Sequence, residues 1–393
     1  MDSNDKDEKT KKLKELDVTE IEKKAIGSML GMAIGDAMGA RFEFNEVVYG
    51  KKELKDMGKG PGGAFFLQPG QWTDDTSMGL CIADSLIMNN GELDEHDIMH
   101  RFIAWWKGGY NNAFRYNIDN KLPPSHSVGL GGNISLSFYN YTNYYLSKGE
   151  LANPETEAGD KNTSGNGSIM RNAAIPICFH NNIKLAMENA KKQSLITHQG
   201  LEAKECCSLL TYIIVQIFEG KEKDEIFNNL GKFEAETEAE SVKCLANHRK
   251  EGDSEDRNWD WSVEQYHYSP TRTKKQGGYV GSYAMDNMAM SLNTIYKTDN
   301  FRDAMIRAAN IRGDSDSVAS VVGQIAGALY PLETIPGDWI KAIYKWDHGE
   351  IALRGYMLAR MPIKPIKPTK EDDKKQEENK EEDENRLSYI IKK

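Results

Sequence analysis

The chain has 393 residues, 39% of them hydrophobic and 28% charged, and carries a formal net charge of −10. That length buries a full core in one large domain, and the negative balance argues against nucleic acid as a partner, since such binders present a basic patch or stripe. No apolar run approaches the roughly 18 to 20 residues of a membrane span, and the first residues lack the apolar stretch of a signal peptide, so a cytoplasmic protein with no membrane partner is expected.

Residues 1–20 are rich in lysine and acids and form a polar N-terminal extension, either a solvated helix or a disordered arm. Residues 21–361 form the domain. Its first segment, 21–40, reads as a helix in which Gly27, Gly31, Gly35 and Gly39 recur every four residues along one face. Glycine costs a helix roughly 1 kcal/mol relative to alanine. Four of them on one face imply that another backbone packs very close to it, and Asp36 with the polar flanks argues against a membrane helix. Apolar positions at spacings of three and four then predict helices over 76–90, 94–107, 183–195, 200–219, 283–296, 301–311 and 317–330.

Few alternating runs suggest strands. The stretch of about 220–276 is polar and reads as an elaborated surface insertion, in which Trp259, Trp261 and Tyr268 are read as packing rather than as a platform for an aromatic ligand. Residues 362–393 hold PIKPIKPTK and then nine acids and five bases from Lys370 to Arg386, a charged, disordered tail. The five cysteines have no metal or redox spacing and read as reduced core residues.

Two acidic motifs carry the chemistry. QWTDDTSM places Thr73, Asp74 and Asp75 at the entry of one helix, and RGDSDSVAS places Asp314, Asp316 and Ser317 at the entry of another. Each alone also reads as a helix cap, since Asp, Ser and Thr are favoured there. The second motif fails as a calcium loop, because the loop's next ligand and its glycine would fall on Val318 and Ala319. Together the motifs offer only oxygen ligands, which suit two Mg²⁺ or Mn²⁺ ions rather than zinc. Two such ions can orient a diol and activate water.

The glycine-bearing run Ser164, Gly165, Asn166, Gly167, Ser168 precedes a helix-like segment and offers backbone N–H groups to phosphate oxygens, although it also reads as an ordinary turn. A second loop, SVGLGGNIS, holds Gly129 and Gly131 and is a further candidate wall of the same cleft. His198 sits at a helix junction, as a local cap or as a ligand contact.

Six segments in order, GDAMGARFEF, TDDTSM, SGNGSIMR, THQG, GGYVGSYAMDNMAM and GDSDSVAS, resemble the ADP-ribosylglycohydrolases, also called ADP-ribosyl hydrolases, over about 26–329. The resemblance implies an all-α, compact orthogonal helical bundle with a two-metal cleft for the distal ribose. It implies that Thr73, Asp74 and Asp75 form one metal half-site and Asp314, Asp316 and Ser317 the other. Glu43 would join the metal shell or gate the cleft, Ser164 through Ser168 would hold the pyrophosphate, and His198 would lie near the ligand.

The chain departs from many members at Ser317, where they have threonine, at Arg312, where they have glycine, and at Gly129, where some carry an aspartate implicated in catalysis. The serine keeps a hydroxyl ligand, and the arginine either reshapes the cleft or pairs with an acid. Asp75 or Glu43 is therefore the expected group orienting the attacking water. The implied partner is an ADP-ribosylated protein or an ADP-ribose-containing small molecule, and the leading linkage is to arginine. Serine-linked ADP-ribose, poly(ADP-ribose) and ADP-ribose esters are alternatives, as are a non-catalytic reader and a structural protein.

Overall fold

The computed structural model describes residues 18–50, 52–114, 125–150, 164–264, 266–267 and 270–362. Most of the N-terminal extension, Tyr268 and the tail beyond residue 362 lie outside them. The described residues form fifteen α-helices: α1 Glu20–Gly39, α2 Asp74–Met88, α3 Glu95–Gly108, α4 Gly132–Asn140, α5 Ala174–Cys178, α6 Ile183–Leu195, α7 Leu201–Phe218, α8 Lys223–Asn228, α9 Glu240–Ala246, α10 Pro270–Gln276, α11 Ala284–Tyr296, α12 Phe301–Asn310, α13 Ser315–Leu329, α14 Gly337–Asp347 and α15 Glu350–Leu358. Among them there is no β-strand, only three isolated bridges. The fold is an all-α bundle.

All eight helices expected from periodicity are present, with ends within two residues of the expected ones. Their starts are fixed by local chemistry. Thr19 and Glu22 form a reciprocal capping box at α1, and Asp94, Asn182 and Asn300 accept from N–H groups of the first turns of α3, α6 and α12.

The centre of the bundle is the antiparallel pair α1 and α13. Both are buried along most of their length. A Cβ built on Gly27, Gly31, Gly35 or Gly39 would land on the backbone carbonyl of Gly327, Gly323, Ala319 or Ser315 in turn, and one built on Gly323 or Gly327 would land on α1. The two backbones therefore touch over three turns, with Ser28 Oγ donating to Gln324 O at 2.9 Å and Ser315 Oγ to Gly39 O at 2.8 Å. The glycine face of the first helix has the close backbone neighbour its spacing demands, and that neighbour carries the second acidic motif.

The segment of about 220–276 is not a surface elaboration. Ile226, Phe227, Leu230, Phe233, Val242, Leu245, Trp259 and Trp261 are buried in the main core. The indole N–H groups of Trp259 and Trp261 donate to Glu251 and to Leu245 O, so both rings are packing elements. Charged residues flanking short apolar runs hid these contacts from a periodicity reading. All five cysteines are free and buried.

Substituting Gly31→Val should lower stability by about 1–3 kcal/mol through overpacking. Gly337→Ala, where an added Cβ meets nothing within 4 Å, should leave the melting temperature unchanged. An unaltered thermal melt for Gly31→Val would mean that α1 and α13 are not in backbone contact.

Candidate active site

The contact of α1 with α13 sets the C-terminal end of one helix beside the N-terminal end of the other. Asp36, in the last turn of α1, is fully buried and points at the start of α2. Its carboxylate accepts from Thr73 N (2.9 Å), Thr73 Oγ1 (2.9 Å), Thr76 N (3.0 Å) and Thr76 Oγ1 (2.7 Å). Thr76 is the third residue of α2, and its N–H is one that an N-cap side chain ordinarily takes. Here the cap comes from another helix. Thr73 and Asp314 occupy the N-cap positions of α2 and α13, yet neither side chain makes a capping bond. The carboxylates of Asp74, Asp75, Asp314 and Asp316 thus gather where the positive ends of two helices meet.

Glu43 follows α1 on a strap tied to the residues before α13. Phe44 N donates to Gly313 O, Gly313 N to Asn45 O and Val48 N to Ile311 O, each at 2.9 Å. Asp314 is fixed through Asp314 N to Val280 O at 2.8 Å, and its Oδ2 accepts from Asn166 Nδ2 at 3.0 Å. The loop carrying Asn166 lies along 281–284, with Asn166 N donating to Ser282 O and Ala284 N to Ser164 O.

Two sets of three carboxylates offer oxygens within 4.8 Å of one another: Asp36, Asp75 and Asp316, and Glu43, Asp314 and Asp316. Each set draws on more than one segment, so the halves follow the fold rather than the two motifs, and Asp316 belongs to both. Asp36 is the residue that sequence reading did not assign to the site. Its signal is a lone carboxylate in an otherwise apolar stretch on a glycine-faced helix.

Glu43 Oε2, Asp75 Oδ1 and Asp316 Oδ1 are buried without a hydrogen-bond partner. Burial, reinforced by Asp314 and Asp74, pushes Glu43 up to about 9, and burial raises Asp36 to about 6 despite its hydrogen bonds. Burial, with the neighbouring acids, also raises Asp74, Asp75 and Asp316 well above the carboxylate range. Orphaned, mutually repelling oxygens of this kind fit hard divalent cations, which take oxygen ligands and remove the repulsion.

The acids face a cleft of about 730 Å³. Glu43, Asp74, Asp314, Asp316 and Ser317 line it, as do Gly165, Asn166, Gly167, His198, Gly129 and Gly131. Thr73 and Asp75 lie behind this wall. Ser164 and Ser168 are buried as well, and Ser168 Oγ bonds inward to Ser194 Oγ at 2.8 Å. Gly131 is the N-cap of α4, whose first N–H groups have no intrahelical acceptor.

Gly129 has φ +91°, and a Cβ there would fall on Asp74 Oδ1, so position 129 has no room for an aspartate without displacing Asp74. Arg312, also in the left-handed region at φ +66°, pairs with Glu53 and covers the Phe42 ring at 5.3 Å. It forms an ion pair and is not among the cleft's lining residues. At the mouth stand Phe44, Phe65 and Tyr279, with Phe44 5.6 Å from the Tyr279 ring and 6.3 Å from Phe65. Periodicity could not reveal this rim, which is assembled from three loops.

A family model described as ADP-ribosylglycohydrolase matches residues 17–363. The chain is 31% identical over 326 residues to the ADP-ribosylarginine hydrolase Tri1 of Serratia proteamaculans, covering 82% of this chain and 76% of that protein. It is 30% identical over 335 residues to the Tri1 hydrolase of Pseudomonas putida, covering 83% and 75%. A solved structure titled as an ADP-ribosylglycohydrolase-related protein complex superposes with a TM-score of 0.65 at 27% identity, covering 88% of this chain and 99% of that one.

The raised carboxyl groups hold protons more tightly folded than unfolded. Without divalent cations, their contribution is complete below the ordinary carboxylate range of about 4 and is lost as pH rises through about 6 for Asp36 toward about 9 for Glu43. With chelator, the wild type should therefore lose stability relative to Glu43→Gln as pH is raised, and Mg²⁺ or Mn²⁺ should restore it with release of protons. Thermal melts and calorimetry across pH check this. A metal-independent, pH-flat difference between the two proteins would refute the assignment.

Proposed function

The chain belongs to the ADP-ribosylglycohydrolase family, and we propose that this metal-dependent hydrolase releases ADP-ribose from modified arginine side chains of proteins. The observation that carries the arginine reading is the character of the cleft wall. Four carboxylates and an aromatic rim line it, and no lysine or arginine does among the described residues. Six gathered acids, Asp36, Glu43, Asp74, Asp75, Asp314 and Asp316, exceed the four positive charges of two divalent ions, so the wall still attracts a cation, and a guanidinium over an aromatic face gains about 0.5–1 kcal/mol at an exposed site. The two Tri1 relatives are named as acting on ADP-ribosylarginine, which supports the same linkage.

In this reading the pyrophosphate lies along Gly165, Asn166 and Gly167 and the first turn of α4, where backbone N–H groups serve as donors without a basic side chain. Thr73, Asp74, Asp75, Asp314, Asp316 and Ser317 would hold two Mg²⁺ or Mn²⁺ ions, with Glu43 beside them. When bound, the ions would orient the ribose diol and activate water. Glu43 is the cleft-facing candidate for orienting water, since it lines the cavity and Asp75 does not. It takes a proton as the water oxygen bonds to C1″ and returns that proton to the departing guanidine nitrogen as the C–N bond breaks. The transition state has oxocarbenium character.

The test is release of free ADP-ribose from arginine-linked and serine-linked ADP-ribosyl peptides with Mg²⁺, Mn²⁺ or chelator. Chelator-sensitive release from the arginine peptide is expected, with Glu43→Gln lowering kcat by about 10²–10⁴ and Asp314→Ala or Asp316→Ala abolishing turnover. Release from the serine peptide alone would overturn the arginine assignment. Binding of ADP-ribose without release from either peptide would overturn the hydrolase assignment.

A further inference from the structure

Behind the glycine loop lies a chain of side chains that the proposed chemistry does not use. Arg171 is fully buried, with its guanidinium 4.5 Å from the Phe102 ring centroid. Its Nε donates to Gln193 Oε1 and its Nη2 to Gln193 O, both at 3.2 Å. Nη2 also donates to Thr197 Oγ1 at 2.7 Å, and Thr197 Oγ1 lies 2.9 Å from His198 Nδ1. His198 is itself buried but lines the cleft.

The direction of the protons along this chain follows from the donor inventory. Arginine has only donors, so Thr197 Oγ1 accepts from it. The hydroxyl keeps one proton of its own, and among the described residues the acceptor it reaches is His198 Nδ1. A ring nitrogen that accepts carries no proton in the neutral imidazole, which leaves the proton on Nε2.

The other edge of the ring abuts the loop. A Cβ on Gly167 would lie 2.6 Å from His198 Cε1 and 2.9 Å from Nε2, and one on Gly165 would lie 3.4 Å from Nε2. Glycine at 167 thus leaves room for the imidazole, and Nε2 stands beside the backbone that faces the ligand. Burial, reinforced by the nearby Arg171 charge, lowers His198 to about 3, so the ring is neutral at working pH.

We propose that Arg171 and Thr197 are positioning residues that hold His198 as the neutral Nε2–H tautomer, aiming one uncharged hydrogen-bond donor at a phosphoryl oxygen of the bound nucleotide. The donor's target rests on the ADP-ribose reading of the cleft; the tautomer does not. A neutral donor suits a cleft whose metal wall must attract cations, because a charged histidine beside it would compete with them electrostatically.

The experiment uses the full chain labelled with ¹⁵N-histidine, with His198 identified by the signal missing from His198→Gln. Long-range ¹H–¹⁵N spectra separate protonated from unprotonated ring nitrogens. The expected wild-type signature is protonated Nε2 and bare Nδ1; the reverse overturns the proposal whether or not any variant folds. Thr197→Val should abolish the preference and weaken ADP-ribose binding by about tenfold, the loss of one hydrogen bond to a charged group, while Mn²⁺ affinity stays unchanged. Thr197→Ser should restore both. An unchanged tautomer in Thr197→Val also overturns the relay. The predicted tautomer in a wild type that binds no ADP-ribose would leave the relay standing and sink the ligand reading.

Discussion

The backbone contact between α1 and α13 is the constraint from which the rest of the site descends. Two helices that meet through glycine and alanine lie closer than side chains would permit, and that closeness fixes their relative height as well as their separation. Gly39 opposite Ser315 places Asp36, one turn back on α1, and Glu43, just beyond it, alongside Asp314 and Asp316. A larger residue at any of the four glycines must part the helices and with them the two carboxylate sets. The helix propensity lost at those glycines is offset by packing over three turns, and the geometry of the acids comes with it.

Asp36 does the second part of the work. By accepting the N–H of Thr76 and the hydroxyls of Thr73 and Thr76, it caps α2 from outside. The residues at the entry of α2, which would ordinarily satisfy their own helix, are released to face the cleft and its rear wall. The same pattern recurs at α13, where Asp314 stands at the cap position but is held by Asn166. Two helix starts whose side chains do not cap them, aimed at one point, make a place where negative charge is concentrated and supported by both helix dipoles. Its oxygens are of the kind that divalent cations take.

Much of this was legible in the sequence, and the gaps have physical causes. Period and caps located eight helices, and the fourfold glycine spacing announced a close backbone neighbour without saying which. The order of six motifs carried the family. What periodicity cannot give is pairing: that Asp75 meets Asp316 across more than two hundred residues, or that Phe44, Phe65 and Tyr279 form one rim, depends on packing between distant segments. Asp36 was visible only as an exception within an apolar helix, because its role is expressed in bonds to another helix. The helices α14 and α15 escaped notice because His348 and Gly349, both at positive φ, divide their pattern into pieces of three turns or fewer. In 220–276 the charged residues face outward and dominate the composition, while the buried aromatics are few and unevenly spaced.

In the proposed reading, the cleft separates two electrostatic tasks that conflict if handled by side-chain charge. A pyrophosphate asks for positive potential, and a divalent-cation centre asks for negative potential a few ångströms away. Lysine or arginine beside Asp314 and Asp316 would draw those carboxylates into ion pairs and weaken their hold on metal. On that reading the chain instead offers anions the backbone of Gly165 to Gly167, the open start of α4 and a histidine kept neutral by burial. Arg312, the arginine nearest the second motif in sequence, is engaged by Glu53 and stacked on Phe42, outside the cleft lining. With fixed cations absent from the described wall, the acids are left for divalent ions to neutralise.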